Sequence, residues 1–369
     1  MKITTTRDSI LNAALMAERI TGKKESLPVL SCLLLQVGGV GRGEVALKAT
    51  NLEAGIEIAV PCDVEDKGVV AVPASVFSQT LRSISGEKLS LKIEEGNLVV
   101  ESRGTKTTIK AIPHEEFPAL GDTAGKKGMH IPREELMRGI QSVSYAASPS
   151  MIRPELGSVY LLIKPGSITT VATDSFRLAE KSTPTTGAKQ SSELLIPLKH
   201  ALELMHILER IQEDVVELSA DDSQLSVSAG AVQYVSRVVD GTFPNYKDII
   251  PKSFTTEATI LKNDFAEMLR KARVFSGNEQ NVGLHMYPKR KVFSATARSA
   301  EVGEMSDTID AALSGEDLDI NFHIGYLADC LPIIESDSII LGFAGAGKPL
   351  VIRGVSDASF TYLVMPLNR

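Results

Sequence analysis

The sequence predicts an α+β fold in three tandem copies, each with two helices packed on antiparallel sheets. Three observations carry that expectation. A short strand ending in Ala-Thr recurs at Ala49-Thr50-Asn51, Ala172-Thr173-Asp174 and Ala295-Thr296-Ala297, each 123 positions after the one before, and 123 is one third of the 369-residue length. Two stretches of helical period recur in the same phase. Each third then closes on alternating apolar and polar residues. A period this long points to repeated domains rather than to solenoid units.

The first helix of each copy is expected over Asp8 to Ile20, with Leu11, Ala14 and Leu15 on one face, over Arg133 to Tyr145, with Leu136, Ile140 and Val143, and over Asn263 to Phe275, with Phe265, Leu269 and Ala272. The second recurs near Val76 to Ile84, Lys199 to Leu208 and Tyr326 to Ile334. Val72-Pro73 and Ile196-Pro197 precede the first two of these, and proline suits a helix start. The closing runs, Leu98 to Ile112, Leu225 to Val239 and Leu350 to Met365, have the period of two that half-buried strands show. Turn-rich joints at Pro113-His114-Glu115-Glu116-Phe117-Pro118 and Asp240-Gly241-Thr242-Phe243-Pro244-Asn245 give domains of 1–120, 121–251 and 252–369. Three unrelated α+β domains of similar size are the rival account, and the shared landmarks argue against it.

Apolar residues make up 43% and charged residues 23%, the composition of a globular chain with a sizeable core. No apolar run reaches the roughly 20 residues of a membrane span, and the first residues lack a signal-peptide core, so a cytoplasmic protein is expected. Cys32, Cys62 and Cys330 are widely separated and odd in number, which fits buried thiols rather than disulfides or zinc. The net charge of -7 argues against a coat of nucleic acid but leaves room for one basic surface, because phosphate responds to the local field.

Catalytic patterns are missing. The histidines, at 114, 130, 200, 206, 285 and 323, never pair at the i, i+4 spacing of a helical metal site. Gly342 to Lys348 imitates a phosphate-binding loop until Pro349, where a hydroxyl residue is needed, and Leu350 onward alternates like a strand, so a hairpin loop is expected. Gly38 to Gly43 is likewise expected to join a hairpin. These readings predict a protein without catalysis, metal or cofactor. An α+β nucleic-acid-processing enzyme with carboxylates gathered from distant positions is the alternative.

Four segments resemble one family. Leu27-Pro28-Val29-Leu30 followed by Leu33-Leu34-Leu35, Ala172-Thr173-Asp174-Ser175-Phe176-Arg177-Leu178-Ala179, Val239-Asp240-Gly241-Thr242-Phe243-Pro244-Asn245-Tyr246 and Tyr362-Leu363-Val364-Met365-Pro366-Leu367 stand in order at the separations seen in the bacterial DNA polymerase III beta sliding clamp. The resemblance implies three clamp domains per chain and a head-to-tail homodimer forming a ring of six. It also implies double-stranded DNA threaded without sequence specificity, and a role as processivity factor. A repair clamp with two domains per chain is disfavoured by the three landmarks.

The resemblance further assigns residues. DNA-facing cations would be Lys24, Arg82, Arg138 and Lys199. Replicative polymerase, clamp loader and repair proteins would dock short peptides in a pocket between the middle and C-terminal domains. That pocket would be made by Leu156, Thr173, Ser175, Arg177, Leu178, Pro244, Ile249, Leu363, Met365, Pro366 and Leu367. The dimer contact would set Val274 and Phe275 against Thr107 and Ile109 of the other subunit. The chain departs from the family at Phe176, where relatives often have His, at Asp248, where they have Arg, and at Ser150, Pro154 and Glu155 in a loop that contacts DNA in relatives.

Overall fold

Each copy begins with a strand and a helix whose leading residue is basic, and the same two bonds recur three times. The helices are α1 (Arg7–Ile20), α2 (Ala74–Ser83), α3 (Arg133–Val143), α4 (Leu198–Leu208), α5 (Lys262–Phe275) and α6 (Ile324–Asp329). The backbone N–H of Arg7 donates to Glu87 O, that of Arg133 to Asp214 O and that of Lys262 to Asp337 O, each at 2.8 Å. Their side chains reach the carbonyls at or just beyond the end of the second helix: Arg7 Nη1 to Ile84 O at 3.2 Å, Arg133 Nη1 to Leu208 O at 2.9 Å and Lys262 Nζ to Ile334 O at 2.7 Å. At Ile84 and Leu208 a cation satisfies carbonyls that no helical N–H can reach and sits at the negative end of the dipole, whereas Ile334 lies in the turns that follow α6.

The computed structural model describes residues 1–22, 27–38, 41–120, 128–185, 191–221 and 223–367, without the side chains of 41 and 42. Packing divides it into two units, residues 1–137 with 185–240 and residues 138–184 with 241–369. The division runs through the middle copy. In the first unit the strand order is Thr105–Ile109, Asn97–Ser102, Lys88–Glu94, Lys2–Thr6, Ala54–Asp66, Val232–Arg237, Gln224–Ala229, Val215–Ala220 and Met129–Pro132. In the second, the strands Ser158–Lys164, Ser167–Thr173, Arg177–Pro184, Phe360–Val364, Leu350–Gly354, Ser338–Phe343, Thr256–Leu261 and Ala311–Gly315 follow one another. A separate sheet there runs Gly303–Ile309, Val292–Ser299, Asn281–Tyr287 and Leu318–His323. All described pairings are antiparallel.

The expected helix faces hold in α3, where Leu136, Ile140 and Val143 are fully buried, and in α5, where Phe265, Leu269 and Ala272 are. In α1 the buried stripe is Ile10, Ala13, Ala14, Ala17 and Ile20, with Leu11 and Leu15 at its margins. Small alanines bring the helix close to the sheet, so the larger leucines flank the contact. The last helix starts at Ile324 and stops at Asp329, short of the expected Ile334. Pro332 is the reason: it has no N–H to donate and crowds the carbonyl four residues back. Residues 338–343 and 350–354 form a hairpin around Gly345 and Gly347, both at positive φ, as expected for the loop that imitates a phosphate cradle. Cys32–Val37 and Gly41–Thr50 also pair as a hairpin, with Gly41 to Gly43 already in strand against Cys62 to Val64. The three cysteines are free and buried.

Replacing Lys262 by Met keeps the aliphatic stem and leaves Ile334 O without its donor. Thermal unfolding of this variant is expected to show a loss of about 1–3 kcal/mol, the range for a charged hydrogen bond or an orphaned carbonyl. An unchanged melting curve would show that the clamp contributes nothing to the third copy.

Candidate functional site

The Ala-Thr landmark builds a tight turn, and builds it twice. In the middle copy Ser175 has φ +78, Thr173 Oγ1 donates to Arg177 O at 2.6 Å, and Asp174 Oδ1 accepts from the N–H groups of Phe176 and Arg177 at 2.9 Å each. The first copy repeats this at the same spacing: Leu52 has φ +75, Thr50 Oγ1 donates to Ala54 O at 2.8 Å, and Asn51 Oδ1 accepts from Glu53 and Ala54 at 3.0 and 2.8 Å. Short Asx side chains suit this geometry because they accept backbone bonds two and three residues on. The third copy has Ala297 in that place, no acceptor, and its strand continues to Ser299.

In the second unit this turn carries Arg177 into a crossroads. Its Nε donates to Asp174 Oδ2 at 2.9 Å, its Nη2 to Tyr145 O at 2.7 Å and its Nη1 to Asp329, while the guanidinium lies 4.5 Å from the Tyr326 ring centre. One arginine thus ties the turn to α6 and to the segment after α3. The C-terminal residues are tied as well: Met365 N–H donates to Phe176 O at 2.8 Å and Leu367 N–H to Asn321 O at 2.9 Å. The 241–249 segment is pinned by the Phe243 ring stacked 4.8 Å from Tyr160, by an ion pair of Lys247 with Glu180, and by Asn245 donating to Asp248 at 2.5 Å.

The eleven residues assigned to the peptide pocket all lie in this unit, but they do not play one part. Leu156, Thr173, Leu178 and Leu363 are buried and form a floor. Pro244, Met365, Pro366, Leu367 and Arg177 are half-buried, and Ser175 and Ile249 are exposed. Phe176, 60% exposed, and Met151 and Ile152, 52% and 91% exposed, add apolar surface on the same unit that the site assignment omits. A bulky aromatic next to the Asx position of a tight turn was the available signal for Phe176. Nothing in the sequence marks Met151 or Ile152.

Of the assigned cations, Lys24 lies outside the described residues. Arg82 is exposed in the last turn of α2, Arg138 on α3 and Lys199 in the first turn of α4. Arg270 and Arg273 of α5 are exposed too, along a 470 Å³ cleft against α6, and the assignment had no residue from that copy. Lys199 Nζ stands 3.7 Å from Glu203 Oε1, and Glu203 is 7% exposed. Burial pushes the Glu203 carboxyl up to about 7, against the pull of Lys199. At the expected dimer contact Val274 is 63% exposed and Phe275 half-buried, while Thr107 is half-buried and Ile109 already buried by its own unit.

Among the described residues no group of His, Cys, Asp and Glu could hold a metal. His285 bridges Asp319 Oδ1 at 2.6 Å and Thr296 Oγ1 at 2.8 Å, a string the sequence did not reveal. Tyr287 OH also donates to Asp319, at 2.8 Å, so the string belongs to a cross-strand polar network on the solvent face of its sheet. No helix among the described residues is long and apolar enough to cross a membrane.

A tandem α+β protein of three like copies, with exposed cations on its helices, is the class these features define. Its N-terminal, central and C-terminal domains match the corresponding domains of the DNA polymerase III beta subunit, over residues 1–121, 130–245 and 247–368, and the chain belongs to that family. The beta sliding clamp of Salmonella typhimurium is 26% identical over all of both chains. The crystal structure of the DNA polymerase III beta subunit from Thermotoga maritima has a TM-score of 0.94 at 26% identity, covering 100% of this chain and 99% of that one. The sliding clamp from Bacillus subtilis shares the fold, with a TM-score of 0.92 at 24% identity over 100% and 99%.

Glu203 yields a pH-dependent prediction. Its folded pKa is raised, so folding favours the protonated form, and stability falls as pH rises from the unfolded value of 4.5 through about 7. Glu203→Gln should therefore stabilise the protein at pH 8 by on the order of 2–3 kcal/mol, with the gain fading towards pH 4.5. Thermal melts across that range check it, and a gain independent of pH would contradict the assignment.

Proposed function

We propose that the chain is a sliding clamp, a non-catalytic processivity factor for the replicative DNA polymerase, which closes head to tail with a second copy into a ring around duplex DNA. One observation carries this reading beyond family membership: consecutive copies are joined by a continuing β-ladder, and the corresponding edges of the first and third copies have no further neighbour among the described residues. Val232 to Ser236 pairs with Ile58 to Ala54, and Phe360 to Val364 pairs with Lys181 to Arg177. Thr105–Ile109 ends its sheet without a further neighbour, and so does Gly303–Ile309. Beside the latter stand Val274, Phe275 and the 59% exposed Val302. A heterologous contact between two such edges closes into a ring when the rotation is right.

Inside the ring, Lys24, Arg82, Arg138 and Lys199 would meet phosphates without reading bases. Topology supplies retention, so a modest summed field suffices and a tight grip would hinder sliding. Domains of 1–120, 121–251 and 252–369 and a cytoplasmic setting complete the reading. Loaded on DNA by the clamp loader, the protein should stay on a nicked circle and slide off once that circle is linearised, as gel filtration of the complexes would report. Equal retention on both substrates would count against a ring, and divalent-metal-dependent nuclease activity would favour the enzyme alternative.

The floor of Leu156, Thr173, Leu178 and Leu363, rimmed by Phe176, Ile249 and Met365, suits short peptides with apolar anchors from polymerase, loader and repair partners. Asp at both Phe176 and Ile249 should weaken a labelled clamp-binding peptide more than roughly tenfold, the scale of a lost anchor, while the dimer mass is unchanged. Retained anisotropy binding would move the docking surface elsewhere.

A further inference from the structure

The two helices of each copy meet along a seam, and the residues that close it in the first copy are replaced in the third. We propose that the cleft this opens between α5 and α6 is a binding site for a small molecule with an apolar body and an anionic head. The site goes beyond the clamp reading and does not depend on it.

Equivalent positions follow from the bonds that recur in every copy. Arg7, Arg133 and Lys262 correspond because each reaches the carbonyl of Ile84, Leu208 or Ile334. Those three acceptors lie ten residues past the first residue of the second helix, so Ala74, Leu198 and Ile324 correspond as well. Counted from these anchors, Leu11 and Met137 stand where α5 has Ala266, and Ser78 and Leu202 where α6 has Ala328. Leu15 and Gln141 stand in the place of Arg270, and Glu18 and Ser144 in that of Arg273.

In the first copy Ser78 Oγ donates to Glu18 Oε2 at 2.7 Å and ties the two helices together. Ala328 and Arg273 cannot make that bond, and Ala266 supplies a methyl group where Leu11 supplies an isobutyl group. The space left is the 470 Å³ cleft, floored by Leu269, Ile324 and Leu331, each 5% exposed or less. Because α6 stops at Asp329, Pro332 forms the wall beyond its end. Such a volume lies within the range of small-molecule sites, about 300–1,000 Å³, and apolar linings of this kind supply the driving force by shedding water.

Charge selects the head group. Lys262, Arg270 and Arg273 line the cleft, and among the described residues no carboxylate does. Lys262 Nζ is committed to Ile334 O at 2.7 Å. Arg270 and Arg273 are exposed, three residues apart on one helix face, and among the described residues neither is in an ion pair. Two uncommitted guanidinium forks at the mouth of an apolar cleft match a carboxylate, sulfonate or phosphate.

Anilinonaphthalene sulfonate, an aromatic body with one anionic head, is a suitable probe. Its fluorescence is titrated against the full-length chain carrying F176D and I249D, so that the apolar surface there does not take the dye. One saturable site per chain is expected. Adding A266L and A328L restores the leucines that Leu11 and Leu202 provide elsewhere, and should abolish that site. R270Q with R273Q should weaken the dye on the order of tenfold, the scale of a lost charged hydrogen bond, and leave binding of the neutral N-phenylnaphthylamine unchanged. Displacement of the dye by decanoate or by naphthoate then distinguishes an acyl chain from an aromatic body. Absence of a saturable site, or dye binding that survives the two leucines in a folded chain, overturns the proposal. So does an affinity indifferent to both arginines, a result that decides the matter alone if the leucine variant does not fold.

Discussion

A β-strand cannot leave its backbone donors and acceptors unpaired away from water, and the architecture is organised around that constraint. Each copy ends in a hairpin whose last strand needs a partner, and the partner is the outgoing strand of the preceding copy: Ala54–Asp66 for Val232–Arg237, and Arg177–Pro184 for Phe360–Val364. The joints between copies are therefore as continuous as the copies themselves. A chain built by this rule always has one donor edge and one acceptor edge left, whatever the number of copies, and such a chain remains incomplete until something pairs them.

The surface beside each landmark turn differs in character through local substitutions. Beside Thr50 and Leu52 the hollow is small, 230 Å³, and Leu120 sits where it would lie 2.7 Å from a Cβ added at Gly55, so the chain's own linker fills much of the space. Beside Thr173 the turn presents Ser175 and Phe176 over a buried apolar floor. Beside Thr296 the Asx acceptor is lost, the hairpin lengthens, and a 560 Å³ bowl lined by Asn281, Thr296, Asn321 and Arg298 takes its place. One fold thus offers a closed, an apolar and a polar version of one geometry. The apolar version is the one suited to anchoring peptide side chains, and Arg177 holds its turn rigid by bonds to Asp174, Tyr145 and Asp329.

Much of the fold was legible because it is periodic. The three Ala-Thr strands, the faces of α3 and α5 and the closing hairpins all lie where spacing put them. What escaped depends on contacts between residues far apart in sequence. That Arg7, Arg133 and Lys262 answer carbonyls 72 to 77 positions later is invisible in any window. The stripe of α1 was read correctly at Ala14 and misjudged at Leu11 and Leu15, which flank the buried Ile10, Ala13, Met16, Ala17 and Ile20, because a short window does not tell which edge of an apolar face meets the sheet. The pocket residues came from resemblance, and only the folded chain separates the floor at Leu178 and Leu363 from the accessible rim at Phe176 and Ile249.

The overall charge of -7 leaves room for locally basic surface because of where individual charges stand. Arg82, Arg138, Lys199, Arg270 and Arg273 are exposed on helices, whereas many surface cations are engaged by carboxylates on the strands, as Lys92 and Lys106 are by Glu94 and Glu101. Those paired cations contribute little field at a distance, because each is cancelled within a few ångströms. Even Lys199 has the buried Glu203 beside it, a carboxyl that burial holds near the middle of its titration at neutral pH. The exposed helix cations therefore carry most of the positive field that a phosphate would meet.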